Sequence, residues 1–446
     1  MPPRLALFLC ITYISWLLLF DRRRHANVSS ANWIPLIWLV ILGSRPISLW
    51  FGFGQSFTTT DDYAEGSPFD RFIFLILITT AIAILVKRGI NWGGLARNNK
   101  WLLIFFLYLG VSVLWSDYSF VSFKRWIKDL GNIVMALVVL TESHPVEALK
   151  SLLGKCCYVL IPVNILLVKY FPETGRYYNQ WTYVSYYGGA TMDKNMLGMT
   201  LFVLGVSQFW VLSELKPTRP GIIGKLQLAA HYVMPLMTFW LLYKSQSSTA
   251  VACTILALSL STILRVPAIS SRISRLVFFG FVSTVVFVVM QVTVNLGGFL
   301  LGLLGRDFTF TGRTEIWDAV LSEDINPVFG TGYYSFWLGE RVERLSEKYF
   351  YHLNEAHNGF IEIYLNNGLL GLFLLAVLYY TASRRICADV TKGSRIAALQ
   401  LSFLVAVAIY GITEAVFRFG PIWFVFLLFV IEYTRRKQGD TLAPTR

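Results

Sequence analysis

Charged residues are scarce in this chain. Only 15% of its 446 residues are charged, whereas a soluble domain carries about 25%. Hydrophobic residues make up 55% of the chain, and they arrive in repeated runs of about 20 residues, the length of a helix that crosses a bilayer. A β-barrel would show shorter segments of alternating hydrophobicity instead. The composition predicts an all-α, polytopic transmembrane helical bundle in which residues 1–446 form a single integral membrane domain.

Motifs for nucleotides, metals and disulfides are also missing. The chain has no Walker-type phosphate loop, no Cys-x-x-Cys pair and no HExxH helix. Its five cysteines show no metal-ligand spacing and predict no disulfide framework. A metal site built from His352, Glu355 and His357 would need a further ligand that the sequence does not show. We therefore expect neither a metal nor another cofactor.

The apolar runs predict twelve or thirteen membrane spans. Their approximate bounds are 5–20, 33–51, 69–86, 101–115, 126–141, 152–169, 195–213, 228–243, 250–264, 276–300, 358–380, 397–417 and 421–434. Every second loop is rich in Lys and Arg, which the positive-inside rule assigns to the cytoplasm. The large loop between the tenth and eleventh spans is then extracytoplasmic, whether or not the first run crosses the membrane.

The net charge of +13 follows from the same rule, because cytoplasmic loops collect cations. We expect membrane lipid around the protein and no nucleic acid. Several cations nevertheless fall on the outer side, where the rule predicts few. They are Lys124, Arg125, Lys128, Arg176, Lys194, Arg306 and Arg313. Arg45 falls inside the second predicted span, where a charge is costly and usually functional. Snorkelling to the interface would explain any one of these cations, but the whole set favours an anionic ligand outside.

The outer loop 301–357 is the predicted catalytic segment. His357 stands where this loop re-enters the membrane, and Asn358 and Gly359 follow at the start of a helix. Imidazole that is neutral near pH 7 can accept a proton from a hydroxyl, so His357 is the predicted general base. Glu362 lies four residues after Asn358 on the same helix face and could orient the imidazole.

Two arginines of this loop suit a diphosphate. Arg306 and Arg313 flank the segment FTFTG, and a guanidinium group binds two phosphate oxygens at once and stays charged. Further along, NPVFGTG contains glycines that predict a tight turn able to approach a ligand closely.

The segments TGRTEIW, NPVFGTGYYSF and EAHNGFIEIYLNNGLLG, read together, resemble the O-antigen ligase and polymerase superfamily of bacterial envelope proteins. The earlier segments ATMDKNMLGM and SQSSTA are similar to the branch with succinoglycan-type exopolysaccharide polymerases. The resemblance implies a metal-independent glycosyltransferase in the bacterial inner membrane. Its donor would be a glycan on undecaprenyl diphosphate at the outer face, and its acceptor a glycan or a lipid-linked molecule.

The resemblance also implies roles for individual residues. Arg313 would hold the donor diphosphate, and His357 would activate the acceptor hydroxyl. Either Arg176 or Lys194 would supply a second phosphate contact, because both lie in the outer segment before the seventh span. The remaining outer cations, with Asn358 and Glu362, would help to bind substrate.

Three readings stay open at this point. The protein could be a ligase or a polymerase, since both use the same donor. It could instead be a transporter or flippase of lipid-linked sugars. Transporters place ionisable residues near the membrane midplane, whereas those of this chain gather at the outer ends of spans, which favours an enzyme. The sequence leaves the sugar and the oligomeric state open.

Overall fold

The computed structural model describes residues 1–53, 67–178, 185–213, 222–280, 313–349 and 353–433. Helices dominate this part of the chain. Up to residue 178 they are α1 (Pro3–Arg24), α2 (Trp33–Leu42), α3 (Ile47–Trp50), α4 (Pro68–Lys87), α5 (Trp92–Asn98), α6 (Lys100–Val111), α7 (Ser119–Leu140), α8 (Pro145–Tyr170) and α9 (Pro172–Gly175). Short 3-10 helices at Ser30–Asn32 and Ser112–Trp115 precede α2 and follow α6.

The second half is built in the same way. Its helices are α10 (Lys194–Ser213), α11 (Ile222–Ser245), α12 (Ser248–Ile263), α13 (Pro267–Ser270), α14 (Arg313–Leu321), α15 (Glu340–Tyr349), α16 (Gly359–Thr391), α17 (Arg395–Tyr410) and α18 (Pro421–Val430). The described strands, β1 (Arg176–Tyr178) and β2 (Ser185–Tyr187), pair antiparallel with Tyr177 opposite Tyr186.

The helices confirm an all-α, polytopic membrane protein. Five of those described are long and apolar enough to cross a bilayer, namely α1, α4, α8, α10 and α16. A sixth is added if α5 and α6, which meet at a bend of 90°, count as one span. Shorter apolar helices include α12, α17 and α18. The number of twelve or thirteen spans stays a prediction, and most of the tenth predicted span lies outside the described residues.

The core is aromatic and sits where α18 enters the bundle. Trp423 at its start is fully buried, stacks on Phe426 with ring centroids 5.0 Å apart, and lies 6.2 Å from Phe106 of α6. Every residue of α18 is buried, although the helix is only 10 residues long. A short helix that is apolar all round belongs in the interior of a bundle, so α18 is enclosed by its neighbours.

The second predicted span is broken, which changes the role of Arg45. Helix α2 ends at Leu42, and Arg45 lies in the connection to α3 instead of inside a span. Its Nη2 donates to the carbonyl oxygens of Thr174, Gly189 and Thr191 at 2.7, 2.9 and 3.2 Å. The guanidinium group thereby satisfies loop carbonyls that no helix pairs. Arg45 thus lies between two helices, and it holds together the segments that follow α8 and precede α10.

The segment NPVFGTG approaches another part of the backbone instead of a free surface. It inserts beside a break in α16, where Gly368 has φ 63°. Gly332 N donates to Asn366 O at 2.9 Å, and Leu369 N donates to Pro327 O at 2.9 Å. The loop therefore supplies partners for the polar groups that the broken helix leaves free. Its glycines permit contact between two backbones, which is the physical reason for the tight turn.

Helix ends gather at one side of the bundle. Gly359 N at the start of α16 donates to Gly411 O, just after α17, at 2.7 Å. Thr413 Oγ1 in the same turn bonds Thr249 Oγ1 at the start of α12 at 3.0 Å. These contacts fix three helix ends against one another and give the residues around them a rigid support.

Candidate active site

His357 stands directly before α16. Asn358 caps this helix, since its Oδ1 accepts from Phe360 N at 3.0 Å and from Ile361 N at 3.1 Å. The cap turns the chain sharply, and His357 adopts φ 48°, a left-handed conformation that few residues other than glycine take readily. Such a conformation persists where the surroundings hold it in place. Asn358 therefore orients His357, and its own oxygen is used in the cap.

Arg313 reaches the same place from the other end of the loop. It is the first residue of α14, and its Nη2 donates to Oε1 of Glu414 at 2.9 Å. Its Nη1 donates to the carbonyl oxygen of Thr413. Both partners lie in the turn between α17 and α18, so Arg313 joins the loop to the membrane bundle.

His357 shares the carboxylate that binds Arg313. Nδ1 of His357 lies 2.9 Å from Oε1 of Glu355 and 3.3 Å from Oε2 of Glu414. The other oxygen of Glu355 pairs with Arg418. We call Arg313, Glu355, His357, Glu414 and Arg418 the ion cluster. Since the carboxylates occupy Nδ1, Nε2 is the nitrogen that remains for a substrate.

The ion cluster is half enclosed. The side chain of Glu414 is only 3% exposed, whereas that of His357 is 29% exposed. Burial lowers the pKa of His357, but hydrogen bonds and attraction to Glu355 and Glu414 outweigh burial and raise the pKa to about 10. Burial raises the pKa of Glu355, but Arg418 and His357 outweigh it and lower the pKa to about 2. The pKa of His357 favours the protonated imidazole near pH 7, whereas the sequence predicts a neutral one.

In the structure, Glu414 lies beside Glu355 and His357 as a possible third ligand of a metal ion. Glu355, His357 and Glu414 place their ligand atoms within 4.8 Å of one another. Two guanidinium groups occupy the other oxygens of these carboxylates, and their positive charge opposes a second cation. Because the two arginines already balance the two carboxylates, a proton on His357 adds one positive charge to the cluster and a divalent ion would add two.

Glu362 has a different role from the predicted one. Its carboxylate accepts from Trp337 Nε1 at 2.9 Å and from Ala356 N at 2.6 Å. Glu362 thus fixes the backbone directly before His357 and ties it to the loop residue Trp337, while Glu355 and Glu414 hold the imidazole itself.

The three predicted cations of α7 have different surroundings. Arg125 Nη1 donates to Tyr334 O at 2.8 Å, and Nζ of Lys128 lies 4.0 Å from the ring centre of Phe419, beside Arg418. Lys124 lies over Phe120, one turn earlier in its own helix. Arg125 and Lys128 therefore adjoin the loop and the ion cluster, whereas Lys124 contacts neither in the described part of the chain.

Arg176 and Lys194 each lie over a tyrosine of β2, but these two tyrosines are neighbours in the strand and point to opposite faces of the hairpin. Arg176 lies over the ring of Tyr187, and Nζ of Lys194 lies 4.4 Å from the ring centre of Tyr186. Lys244, which the sequence also places among the outer cations, lies over Tyr187 as well. Asp193 links this hairpin to the ion cluster: desolvation raises its pKa, and the charges of Glu355 and Glu414 raise it further.

Two predicted positions lie outside the described residues. They are Arg306, the second arginine of the diphosphate pair, and His352 of the metal alternative. The first part of the predicted catalytic loop, residues 301–312, lies there too. Arg306 therefore keeps the role that its sequence position predicts.

Sequence reasoning missed Glu414 and gave Arg418 no specific role. A signal was present, because these two are the only charged residues between Ile396 and Ile431. Opposite charges four residues apart in such apolar surroundings indicate a function or a fixed pairing. In the structure, Glu414 pairs with Arg313 and His357. Arg418 pairs with Glu355.

Comparisons with known proteins show what the sequence is similar to. Residues 233–376 match the family model described as O-antigen ligase. The predicted resemblance to the O-antigen ligase and polymerase superfamily is confirmed. Over 303 residues the chain is 27% identical to exopolysaccharide production protein ExoQ of Rhizobium meliloti, which covers 63% of this chain. The match spans 64% of that relative's length.

The matched range contains only part of the ion cluster. Arg313, Glu355 and His357 lie within it, and Glu414 and Arg418 lie beyond its end. Together with the apolar helices, the family match indicates a multi-pass membrane protein.

Proposed function

We propose that this protein is a glycosyltransferase that takes a glycan from undecaprenyl diphosphate and joins it to an acceptor hydroxyl. The reaction takes place at the outer face of the bacterial inner membrane. The observation that carries this proposal is the ion cluster, in which Glu414 joins Arg313 to His357. A cation suited to a diphosphate and an imidazole suited to a hydroxyl thus stand side by side.

The reaction is a direct displacement at the anomeric carbon of the donor sugar. The acceptor oxygen bonds to that carbon, and its proton passes to Nε2 of His357. The bond from carbon to the phosphate oxygen breaks, and its electron pair leaves with undecaprenyl diphosphate. Arg313 stabilises the charge that builds on this leaving group, which is typically worth several kcal/mol of barrier. A single displacement inverts the anomeric configuration.

Other cations hold the remaining negative charge. Arg306, Arg176 and Lys194 are the proposed further contacts to the diphosphate, and Arg125 with Lys128 extends the positive surface toward Tyr334. Lys124 would act only at the edge of this surface. The proposed reaction needs no nucleotide sugar and no metal, since the positive side chains take the role that a divalent ion has in many phosphate sites.

His357 can act as a base only when its imidazole is neutral. The two carboxylates that face Nδ1 outweigh burial and raise the pKa of His357 to about 10, which favours the protonated imidazole at neutral pH. That proton has to leave before His357 can accept one from the acceptor. The proposed enzyme is therefore most active on the alkaline side of neutrality.

Replacement of His357 by alanine tests the base. Transfer by the purified protein, in lipid and with a defined lipid-linked donor, should fall by roughly 100- to 10,000-fold, the usual contribution of a general base. His144→Ala, at an exposed histidine before α8, is the matched control and should keep full activity. A His357→Ala protein that is normally folded and fully active would refute the assignment.

A deletion strain separates ligase from polymerase. Long polymer that stays on undecaprenyl diphosphate would mean that chains grow but are not handed on, as expected after loss of a ligase. Accumulated single repeat units without long chains would indicate a polymerase. The similarity to an exopolysaccharide production protein favours the second result. An unchanged lipid-linked profile would count against both.

A further inference from the structure

Glu414 occupies a fixed position between the two proposed functional groups. Its backbone N donates to Tyr410 O at 3.0 Å, and its carbonyl accepts from Val416 N at 2.9 Å. The preceding Thr413 is tied to Thr249 of α12. This turn belongs to the rigid membrane bundle, so the carboxylate of Glu414 is held by elements other than the catalytic loop.

The two oxygens of this carboxylate have separate partners. Oε1 accepts from Nη2 of Arg313 at 2.9 Å, and Oε2 lies 3.3 Å from Nδ1 of His357. With 3% of the side chain exposed, both contacts are shielded from water and therefore strong. Arg313 and His357 come from opposite ends of the loop. Glu414 is the group that both of them contact.

We propose that Glu414 is a positioning residue that sets the geometry and the proton affinity of His357 while it aims Arg313 at the leaving phosphate. This inference rests on the proposed function. When Arg313 binds the diphosphate, the carboxylate of Glu414 stays hydrogen-bonded to Nδ1 of His357. Nε2 of His357 therefore keeps facing the acceptor hydroxyl. When Nε2 takes the proton, Glu414 stabilises the imidazolium.

Other charges act on His357 as well. Glu355 contacts Nδ1 from the loop and is itself paired with Arg418. Asp193 lies within electrostatic range of Glu355 and Glu414, and Arg313 adds a positive charge. Glu414 differs from Glu355 because it also binds Arg313. Loss of Glu414 should therefore affect both the acceptor side and the donor side of the reaction.

The test measures kcat and KM for the donor, and kcat/KM against pH, for Glu414→Gln. We expect a fall in kcat of roughly 10- to 100-fold, as is usual when a group that orients a functional side chain is lost. The acid limb of kcat/KM should move to lower pH by about one unit or more, because one negative charge near the imidazolium is gone. Glu323→Gln removes a carboxylate from a surface pair with Arg344 and should change neither quantity.

A double-mutant cycle shows whether Glu414 acts through His357. If Glu414 acts through His357, adding Glu414→Gln to the His357→Ala protein should not further lower the part of the activity that depends on activation of the acceptor hydroxyl. An unmoved pH profile, with equal losses in both backgrounds, would overturn the positioning role and leave only a structural one. If Glu414→Gln does not fold, Glu414→Asp decides the question: we expect lower kcat with an acid limb like that of the wild type, and an unchanged kcat and KM would overturn the proposal.

The outcomes for the two proposals differ. Full activity of His357→Ala would refute the proposed base itself. Inactive His357→Ala together with a Glu414→Gln protein that behaves like the Glu323→Gln control would refute only the positioning role.

Discussion

His357 and Glu355 stabilise each other over a defined range of pH. The pKa of His357 is raised above its ordinary value of 6.5 to about 10. Its contribution to stability is thus complete below about pH 6.5 and is lost as the pH rises through 10. The pKa of Glu355 is lowered from 4.5 to about 2, so its contribution is lost only as the pH falls through that range. At neutral pH the charged pair holds the loop on the bundle through the contacts of His357 with Glu414 and of Glu355 with Arg418.

The same shift predicts how the reaction rate depends on pH. Below the pKa of His357, kcat/KM should rise about tenfold per pH unit, because only the neutral imidazole accepts the proton and kcat/KM reports the free enzyme. Rates of glycan transfer between about pH 6 and about pH 9 would measure this slope. A rate that is highest at acidic pH would instead identify the imidazolium as the working form.

Treatment with a chelator tests whether the same residues bind a metal ion instead. Glu355, His357 and Glu414 could hold a metal ion, but Arg313 and Arg418 compete for their carboxylates. We expect transfer activity to be unchanged after prolonged treatment with EDTA, measured against an untreated sample. A loss of activity that added Zn²⁺ or Mg²⁺ restores would show that a metal occupies the cluster.

At the scale of elements, the loop 326–338 and the broken helix α16 depend on each other. A helix that is interrupted within a membrane leaves backbone groups without partners, and in lipid each of these is costly. The loop supplies those partners through Pro327, Val328, Thr331 and Gly332. It also carries Trp337, which donates to Glu362. The break in α16 thereby anchors the loop close to His357.

Substitution of Gly368 tests this mutual support. An alanine Cβ there would lie 2.2 Å from the backbone of Val328, so loop and helix would have to separate. Gly393 has the same kind of backbone, with φ 81°, but nothing within 4 Å. We expect Gly368→Ala to destabilise the protein by at least about 2 kcal/mol more than Gly393→Ala.

Thermal unfolding of both variants in detergent would measure that difference, since both substitutions place a Cβ at a positive φ and only the one at Gly368 also meets the loop. Equal losses of stability would mean that the contact between the loop and α16 adds nothing to the cost of placing an alanine at a positive φ.

At the scale of the whole molecule, one buried charge of the bundle has fixed partners in three segments. Asp129 of α7 is buried and accepts from Tyr333 at 2.7 Å, from Asn132 at 2.7 Å and from Trp423 at 3.1 Å. A carboxylate with three fixed donors joins the loop, α7 and α18. A carrier needs a charge that can change partners during transport, so this arrangement favours the enzyme over the transporter.

The proposed orientation can be tested by cysteine labelling. The side chain of Arg344 in the loop is 61% exposed, and that of Lys392 at the opposite end of α16 is 74% exposed. A membrane-impermeant maleimide should label Arg344→Cys in intact cells, and Lys392→Cys only after the inner membrane is opened. The native cysteines give little background, because four are buried and Cys10 is half-buried. The reverse pattern would place the ion cluster in the cytoplasm.

The sequence by itself determined the class of protein and the places of most helices, and it singled out the loop that ends at His357 as the proposed catalytic segment. Hydrophobic runs of membrane length depend on composition alone, so α4, α8 and α10 were predicted within a few residues or one to two turns. Arg313 and His357 were found because charge and imidazole are rare in so apolar a chain. These are local properties that a single chain displays without its fold.

Only the tertiary structure decided which residues act together. Glu414 reaches Arg313 and His357 because three helix ends meet at one side of the bundle, and no spacing in the sequence records that meeting. The same holds for Arg45, which binds loop carbonyls in place of a ligand, and for Gly368, whose break needs a distant loop. Contacts between segments far apart in the chain are fixed by packing, and packing also set the charge of His357.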